Sequence, residues 1–307
     1  MKAAYIEKFG GPEVLIVGDL PDPVAGPGQI VVETAAASIN GADAKVCAGE
    51  YPGQPRFPLS LGRDFSGVVA TLGEGVSDLR VGDEVFGVLE TGRDGTYVEK
   101  LAIGAAIVAK KPATLTHVEA AALALIGLTA LCTIENALKL QKGETILIQG
   151  GAGGVASFAI QLAKHLGAHV ITTASAANAP YLREIGADQI IDYNSTDFTK
   201  AVSDCDAVFD TVGGDVAMRS FSVLKPGGRA AFIASGAQAP KPDRGDVTAL
   251  RPAVPRTRAH LERIVELHRI GAVRVPPITE FSLAQAADAL RVSAGRHLKG
   301  KLVLKLR

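Results

Sequence analysis

Thr145-Ile-Leu-Ile-Gln149, then Gly150-Gly-Ala-Gly-Gly-Val-Ala156, then an amphipathic run closing at Gly167, is the stretch whose reading decides the fold. The first five residues are a short apolar, β-branched run, which suits a buried parallel strand. The last part sets Val155, Phe158, Ala159, Leu162, Ala163 and Leu166 at helical spacing, and Gly167 stands where a helix C-cap glycine belongs. Between them, residues 151–156 read Gly-x-Gly-x-x-Ala, the Ala-ending form of the dinucleotide-binding fingerprint. Its glycines permit a tight turn and let backbone approach a pyrophosphate. The helix N-terminus then offers free N–H groups and a partial positive charge. A strand at residues 169–173 follows, which is the context the motif requires.

Downstream, strand-like runs at 189–192, 207–210 and 229–234 alternate with helical sequence, which predicts a doubly wound parallel sheet. Residues 237–255, rich in Pro, Gly and charge, read as a loop or hinge. Residues 257–270 and 283–292 read as helices, 273–281 as extended, and the segment from Gly300 as a final strand. That strand has no parallel-sheet context and is expected to return to the first domain. Upstream, Thr116-x-x-Glu119 is a capping box opening an Ala- and Leu-rich helix, with a second helical stretch over about 128–140. Before residue 113 the chain reads as short strands (2–6, 29–37, 67–72, 84–88, 97–103) between Gly and Pro turns, an all-β beginning that predicts a partly open barrel.

The chain has 307 residues, 47% of them hydrophobic, with 32 basic and 32 acidic side chains. Length suggests two domains. Zero net charge without basic clusters argues against nucleic acid or anionic membrane as a partner. Cys47, Cys132 and Cys205 are odd in number and far apart, so they imply neither a disulfide framework nor a metal site. The N-terminus lacks signal-peptide architecture, and the longest apolar stretch, 120–132, is too short to span a bilayer. A soluble, cytoplasmic protein is expected.

Several motifs along nearly the whole chain resemble the medium-chain dehydrogenase/reductase superfamily, in its zinc-free quinone oxidoreductase (zeta-crystallin-like) branch. They are Ala37-Ser-Ile-Asn40-x-x-Asp43, Gly49-Glu-Tyr51-Pro52, Leu61-Gly-Arg63-Asp64-Phe-Ser-Gly67 and Val81-Gly-Asp83-Glu-Val-Phe-Gly87, continuing with Gly127-Leu-Thr129-Ala, Gly186-Ala-Asp188, Asp210-Thr-Val-Gly213-Gly and Leu224-Lys-Pro-Gly-Gly228. The resemblance implies an α/β chain with a GroES-like, partly open β-barrel substrate domain (1–122, resumed at 256–307) and an inserted Rossmann domain (123–255). It also implies a nicotinamide-holding cleft between them and a homodimer.

Zinc-dependent relatives carry a cysteine and a His-Glu pair where this chain has Asn40 and Arg63-Asp64, and their four-cysteine loop has no counterpart here. Those replacements remove ligand types that catalytic zinc prefers, so no metal is expected. For the nicotinamide, NAD-specific folds place an acid about 20 residues beyond the glycine turn. Here no acid lies between Ala168 and Leu182, and the strand end reads Thr173-Ala-Ser175. NADPH is therefore favoured over NADH. By resemblance Ser175 and Tyr193 match residues around the 2′-phosphate, while the Lys that accompanies them is missing. The expected cofactor-binding set is completed by Thr129, Gly151, Ala152, Gly153, Gly154, Val155 and, at the carboxyl ends of strands, Thr173, Val212, Ile233 and Ala234.

Without a metal, a quinone or α,β-unsaturated carbonyl suits hydride attack, because the product anion is stabilised by the acceptor itself. A positioned donor adds about 2.7–4 kcal/mol in favourable cases. The candidate donors are Tyr51, Asn40 and Arg63. Tyr51 either donates to the substrate oxygen or forms an aromatic wall. Asn40 donates, holds the ribose or closes a turn, and Arg63 pairs with Asp64 or Asp43. Two alternatives stand beside this reading: an enoyl-thioester reductase, and a non-catalytic NADPH-binding protein of crystallin-like or sensor type.

Overall fold

The computed structural model describes residues 1–50, 56–90, 94–236, 238–295 and 298–307. The chain divides into two compact units, one of residues 1–125, 256–266 and 277–307, the other of residues 126–255 and 267–276. Residues 267–276, which the sequence reading joins to the first domain, cluster with the second unit.

The second unit is built on the Thr145–Gln149 strand, whose Ile146, Leu147 and Ile148 are completely buried. It pairs in parallel with His169–Ala174 on one side and Cys205–Asp210 on the other. Gln189–Asp192 extends the sheet beyond the first neighbour, and Leu224–Phe232 then Thr248–Leu250 extend it beyond the second. In order of appearance the strands run 3-2-1-4-5-6, the doubly wound arrangement with its switch point between Thr145–Gln149 and Cys205–Asp210. The Gly154–His165 helix buries Phe158, Ala159, Leu162 and Ala163 of the expected stripe, while Val155 and Leu166 are only partly buried; Ala156, Ser157, Ile160 and Gln161 are buried as well.

Two local expectations change. Thr248–Leu250 lies inside the stretch read as a loop; three residues carry too little periodicity to declare a strand that exists through pairing with Leu224–Phe232. The two helical stretches expected before the glycine turn form one run, an α-helix at His117–Leu131 continuing as a π-helix at Cys132–Ala137. There the Thr133 hydroxyl donates to the Thr129 carbonyl, and the Leu138 N–H reaches the Thr133 carbonyl five residues back. The combined 21 residues are long and apolar enough to cross a membrane by composition, contrary to the shorter run expected, and most of them are buried inside the protein. At its start the capping box is formed: Thr116 N–H donates to Glu119 Oε2 at 2.8 Å, and Glu119 N–H to Thr116 Oγ1 at 3.2 Å.

The first unit is organised by the Gln29–Ile39 strand. One edge pairs antiparallel with Asp64–Leu72; the other pairs with Lys100–Gly104 along its first half and Lys301–Lys305 along its last residues. Glu84–Val88 and Val108–Lys110 continue the sheet, and Ile278–Ser282 closes the far end in parallel with Lys301–Lys305. The final strand thus returns to the first domain's sheet, and it also has a parallel partner. Gly300 sets its entry: φ is +75°, and a Cβ there would lie 2.0 Å from the Pro277 carbonyl oxygen.

Candidate functional site

In the second unit, the turn after Thr145–Gln149 is held from beneath. Thr173 Oγ1 accepts the Gly150 N–H at 3.1 Å and donates to Gln149 Oε1 at 2.7 Å, while the Thr173 carbonyl accepts the Gly151 N–H at 2.9 Å. Gln149 Nε2 in turn donates to Ser220 Oγ. Thr173 is buried, and its hydroxyl is engaged in holding the turn. Gly151 and Ala152 are buried as well. A Cβ on Gly151 would lie 2.2 Å from Thr172 Oγ1, so this glycine is needed for close approach of the neighbouring strand. Gly153, Gly154 and Val155 are partly exposed. Ser157 is the first residue whose N–H turns back, to the Gly153 carbonyl, which leaves the Gly154, Val155 and Ala156 amides without intrahelical acceptors. These amides and the helix dipole fit a diphosphate.

Around the turn, Val212, Ile233, Ala234, Ser175 and Tyr193 lie at or just beyond the carboxyl ends of the sheet's strands. Gly150 and Val212 adjoin, since a Cβ on Gly150 would lie 3.0 Å from Val212 Cγ2. Val212 is held by the buried Asp210, whose carboxylate accepts its N–H and that of Gly213. Burial raises the Asp210 pKa against the pull of those two amides. Ile233 N–H donates to the Asp210 carbonyl, and Ala234 lies beside Gly213. Ser175 follows the last residue of its strand and accepts from Asn178 Nδ2 at 3.1 Å. Tyr193 N–H donates to the Ala174 carbonyl, and its side chain is half exposed, so it is not core packing. Thr129 is partly buried, in the last turn of the His117–Leu131 helix.

The first unit holds a buried ionic cluster that grows out of strand register. Ser38 pairs with Asp64, and Ile39 pairs with Leu302, so the next residue, Asn40, is set between Asp64 and Lys301. Asn40 Nδ2 donates to Asp64 Oδ1 at 2.9 Å and to the Ser38 carbonyl at 3.3 Å, while its Oδ1 accepts from Lys301 Nζ at 2.8 Å. Its amide is therefore engaged internally. It precedes the Gly41–Cys47 helix, with its own N–H donating to Asp43 Oδ2 at 2.8 Å. Tyr97 OH donates to the same oxygen at 2.7 Å. Asp64 Oδ2 accepts from Ser38 Oγ at 2.8 Å and from the Leu125 N–H at 3.2 Å.

Burial dominates the titration of this cluster. Asp43 is pushed up to about 6 by desolvation, opposed by its bonds from Tyr97 and Asn40. Asp64 is raised for the same reason, with the Lys301 charge the largest opposing influence. Burial lowers Lys301 and raises Tyr97. Arg63 is partly buried and its charge steadies Asp43, while the charge named as steadying Asp64 is that of Lys301. Lys301 and Tyr97 escaped the sequence reading, because a lysine opening an apolar segment has the signature of a solvated charge. Tyr51 lies outside the described residues.

Among the described residues, no group of three or more His, Cys, Asp and Glu side chains could hold a metal ion. The Asn40 and Asp64 oxygens are already bonded, and a cation stands against them. This donor set does not fit a catalytic zinc.

A family model described as the alcohol dehydrogenase GroES-like domain matches residues 26–160, and one described as zinc-binding dehydrogenase matches residues 185–304. The quinone oxidoreductase of Coxiella burnetii is similar over 100% of this chain and 99% of its own, with 34% identity and a TM-score of 0.91. The Escherichia coli quinone oxidoreductase, solved in complex with NADPH, matches over 100% of both chains, with 28% identity and a TM-score of 0.91. A mycocerosic acid synthase-like polyketide synthase of Mycobacterium tuberculosis is 31% identical over 304 residues, 91% of this chain; the chain spans 14% of that much longer protein.

Proposed function

The chain belongs to the medium-chain dehydrogenase/reductase superfamily, and on that premise we propose that it is an oxidoreductase passing hydride from NADPH to a quinone or α,β-unsaturated carbonyl, without a catalytic metal. The observation that carries this reading is the carboxyl edge of the second unit's sheet. There a glycine turn with free helix-terminal amides adjoins a strand followed directly by Ser175, where an acid would repel a 2′-phosphate. The NADPH complex of a full-length structural relative supports the same cofactor.

NADPH, when bound, supplies the hydride, and solvent supplies the proton that completes the reduced acceptor. The Gly154 and Val155 amides hold the pyrophosphate, Ser175 and Tyr193 meet the 2′-phosphate, and Val212 and Ala234 form an apolar wall at the nicotinamide. With Asn40 engaged internally, polarisation of the acceptor oxygen falls to Tyr51 and Arg63. The three cysteines take no part: all are buried, and desolvation pushes the Cys47 thiol up to about 11 and that of Cys205 up to about 12.

A second reading, reduction of an enoyl thioester, is supported by the similarity to a polyketide synthase segment over nearly the whole chain. NADPH oxidation measured with a quinone, a short enone and a crotonyl thioester separates the two. Turnover of the quinone or enone supports the first reading, and turnover of the thioester alone replaces it with the second. NADPH binding without any turnover overturns both.

A further inference from the structure

We infer that Lys301 is a positioning residue: the last strand delivers a buried ammonium that fixes the Asn40 amide, and through it the start of the Gly41–Cys47 helix and the carboxylate of Asp64. Lys301 is 5% exposed, and its ammonium donates to the Ile39 carbonyl at 2.6 Å and to Asn40 Oδ1 at 2.8 Å. These bonds tie residue 301 to positions 262 and 261 residues earlier.

The ammonium decides which way the amide faces. With Oδ1 toward Nζ, Nδ2 points at Asp64 Oδ1. A flipped amide would set its NH2 against the ammonium and its oxygen against the carboxylate, two repulsions with no compensating bond. The fixed Asn40 then offers its N–H to Asp43 Oδ2, the oxygen that also receives the Tyr97 hydroxyl. The carboxylates acting on Lys301 are Asp64, from the adjoining strand, and Asp43, at the helix start; Tyr97 and Arg63 act in turn on Asp43. A buried ion pair is a poor device for stability alone, because well-packed apolar residues commonly replace it without loss. What apolar residues cannot supply is the orientation of an amide. Tyr51, a proposed donor to the acceptor, follows this helix by four residues in sequence, so the effect on turnover rests on the proposed function while the effect on the helix does not.

The test compares the full-length chain with Lys301→Met and Lys301→Met/Asp64→Leu, the second removing both charges so that a folded protein is in hand if the first variant fails to fold. Amide hydrogen exchange is read at residues 40–47, with Thr145–Gln149 as internal reference, together with kcat and the NADPH dissociation constant. The expected result in the folded variants is at least tenfold faster exchange at residues 40–47, reference amides unchanged, a kcat at least tenfold lower and NADPH affinity within twofold. Exchange at 40–47 within twofold of the parent overturns the inference. So does faster exchange with an unchanged kcat, since the latch would then be scaffold only. If the parent chain binds NADPH and reduces no acceptor, the functional reading fails, and the exchange data still decide whether Lys301 orders the loop.

Discussion

The glycine turn of the second unit and the ionic cluster of the first are made of opposite materials. The turn presents main-chain amides from consecutive residues, and its side-chain supports, Gln149 and Thr173, are neutral. The cluster consists of side chains, charged at Asp43, Asp64 and Lys301, gathered from distant segments by strand register. Each material has its own weakness. A backbone cradle tolerates most chemistry but no added volume; a buried charge cluster tolerates volume but not the loss of one partner.

The largest effect is expected from Asp64→Leu. It leaves the Lys301 ammonium buried without its main counter-charge, which should cost about 3–5 kcal/mol in urea unfolding, with most of the loss recovered in Lys301→Met/Asp64→Leu. A loss no larger than that of an exposed ion pair, about 1 kcal/mol, would show that the cluster is not a coupled unit.

Next comes pH. A folded-state pKa of about 6 at Asp43, against an ordinary 3.8, means that the native state holds this proton where the unfolded chain has released it. Stability should therefore fall as pH rises from about 4 to about 6, and level off above, by about 2–3 kcal/mol from this group. The difference between the parent and Asp43→Asn isolates that contribution from the many surface carboxylates that shift the other way. Parallel curves for the two proteins would contradict the burial argument.

Gly151→Ala sharpens the comparison from the other side. The new Cβ meets Thr172 Oγ1, so overpacking of about 1–3 kcal/mol and at least tenfold weaker NADPH binding are expected. Binding is followed by quenching of the cofactor's fluorescence; unaltered affinity would mean that the turn does not cradle the diphosphate. The smallest change is Ser175→Asp, which should tilt the NADPH/NADH ratio of kcat/KM toward NADH by about tenfold, about 1.4 kcal/mol. An unmoved ratio would remove Ser175 from the 2′-phosphate site.

The amino-acid sequence by itself determined the strand–turn–helix at 145–167, the alternation that makes the parallel sheet and the acid-free strand end at Ser175. These rest on periodicity, glycine stereochemistry and the absence of a charge, all of which act between near neighbours in the chain. Tertiary structure alone decided that Thr173 lies beneath the turn, that Thr248–Leu250 is a strand, that Asn40 is engaged internally and that Lys301 is its partner. Those outcomes depend on which strands lie side by side and in what register. A lysine in an apolar segment carries no local mark of the carboxylate it will face, because that carboxylate arrives from the other end of the chain.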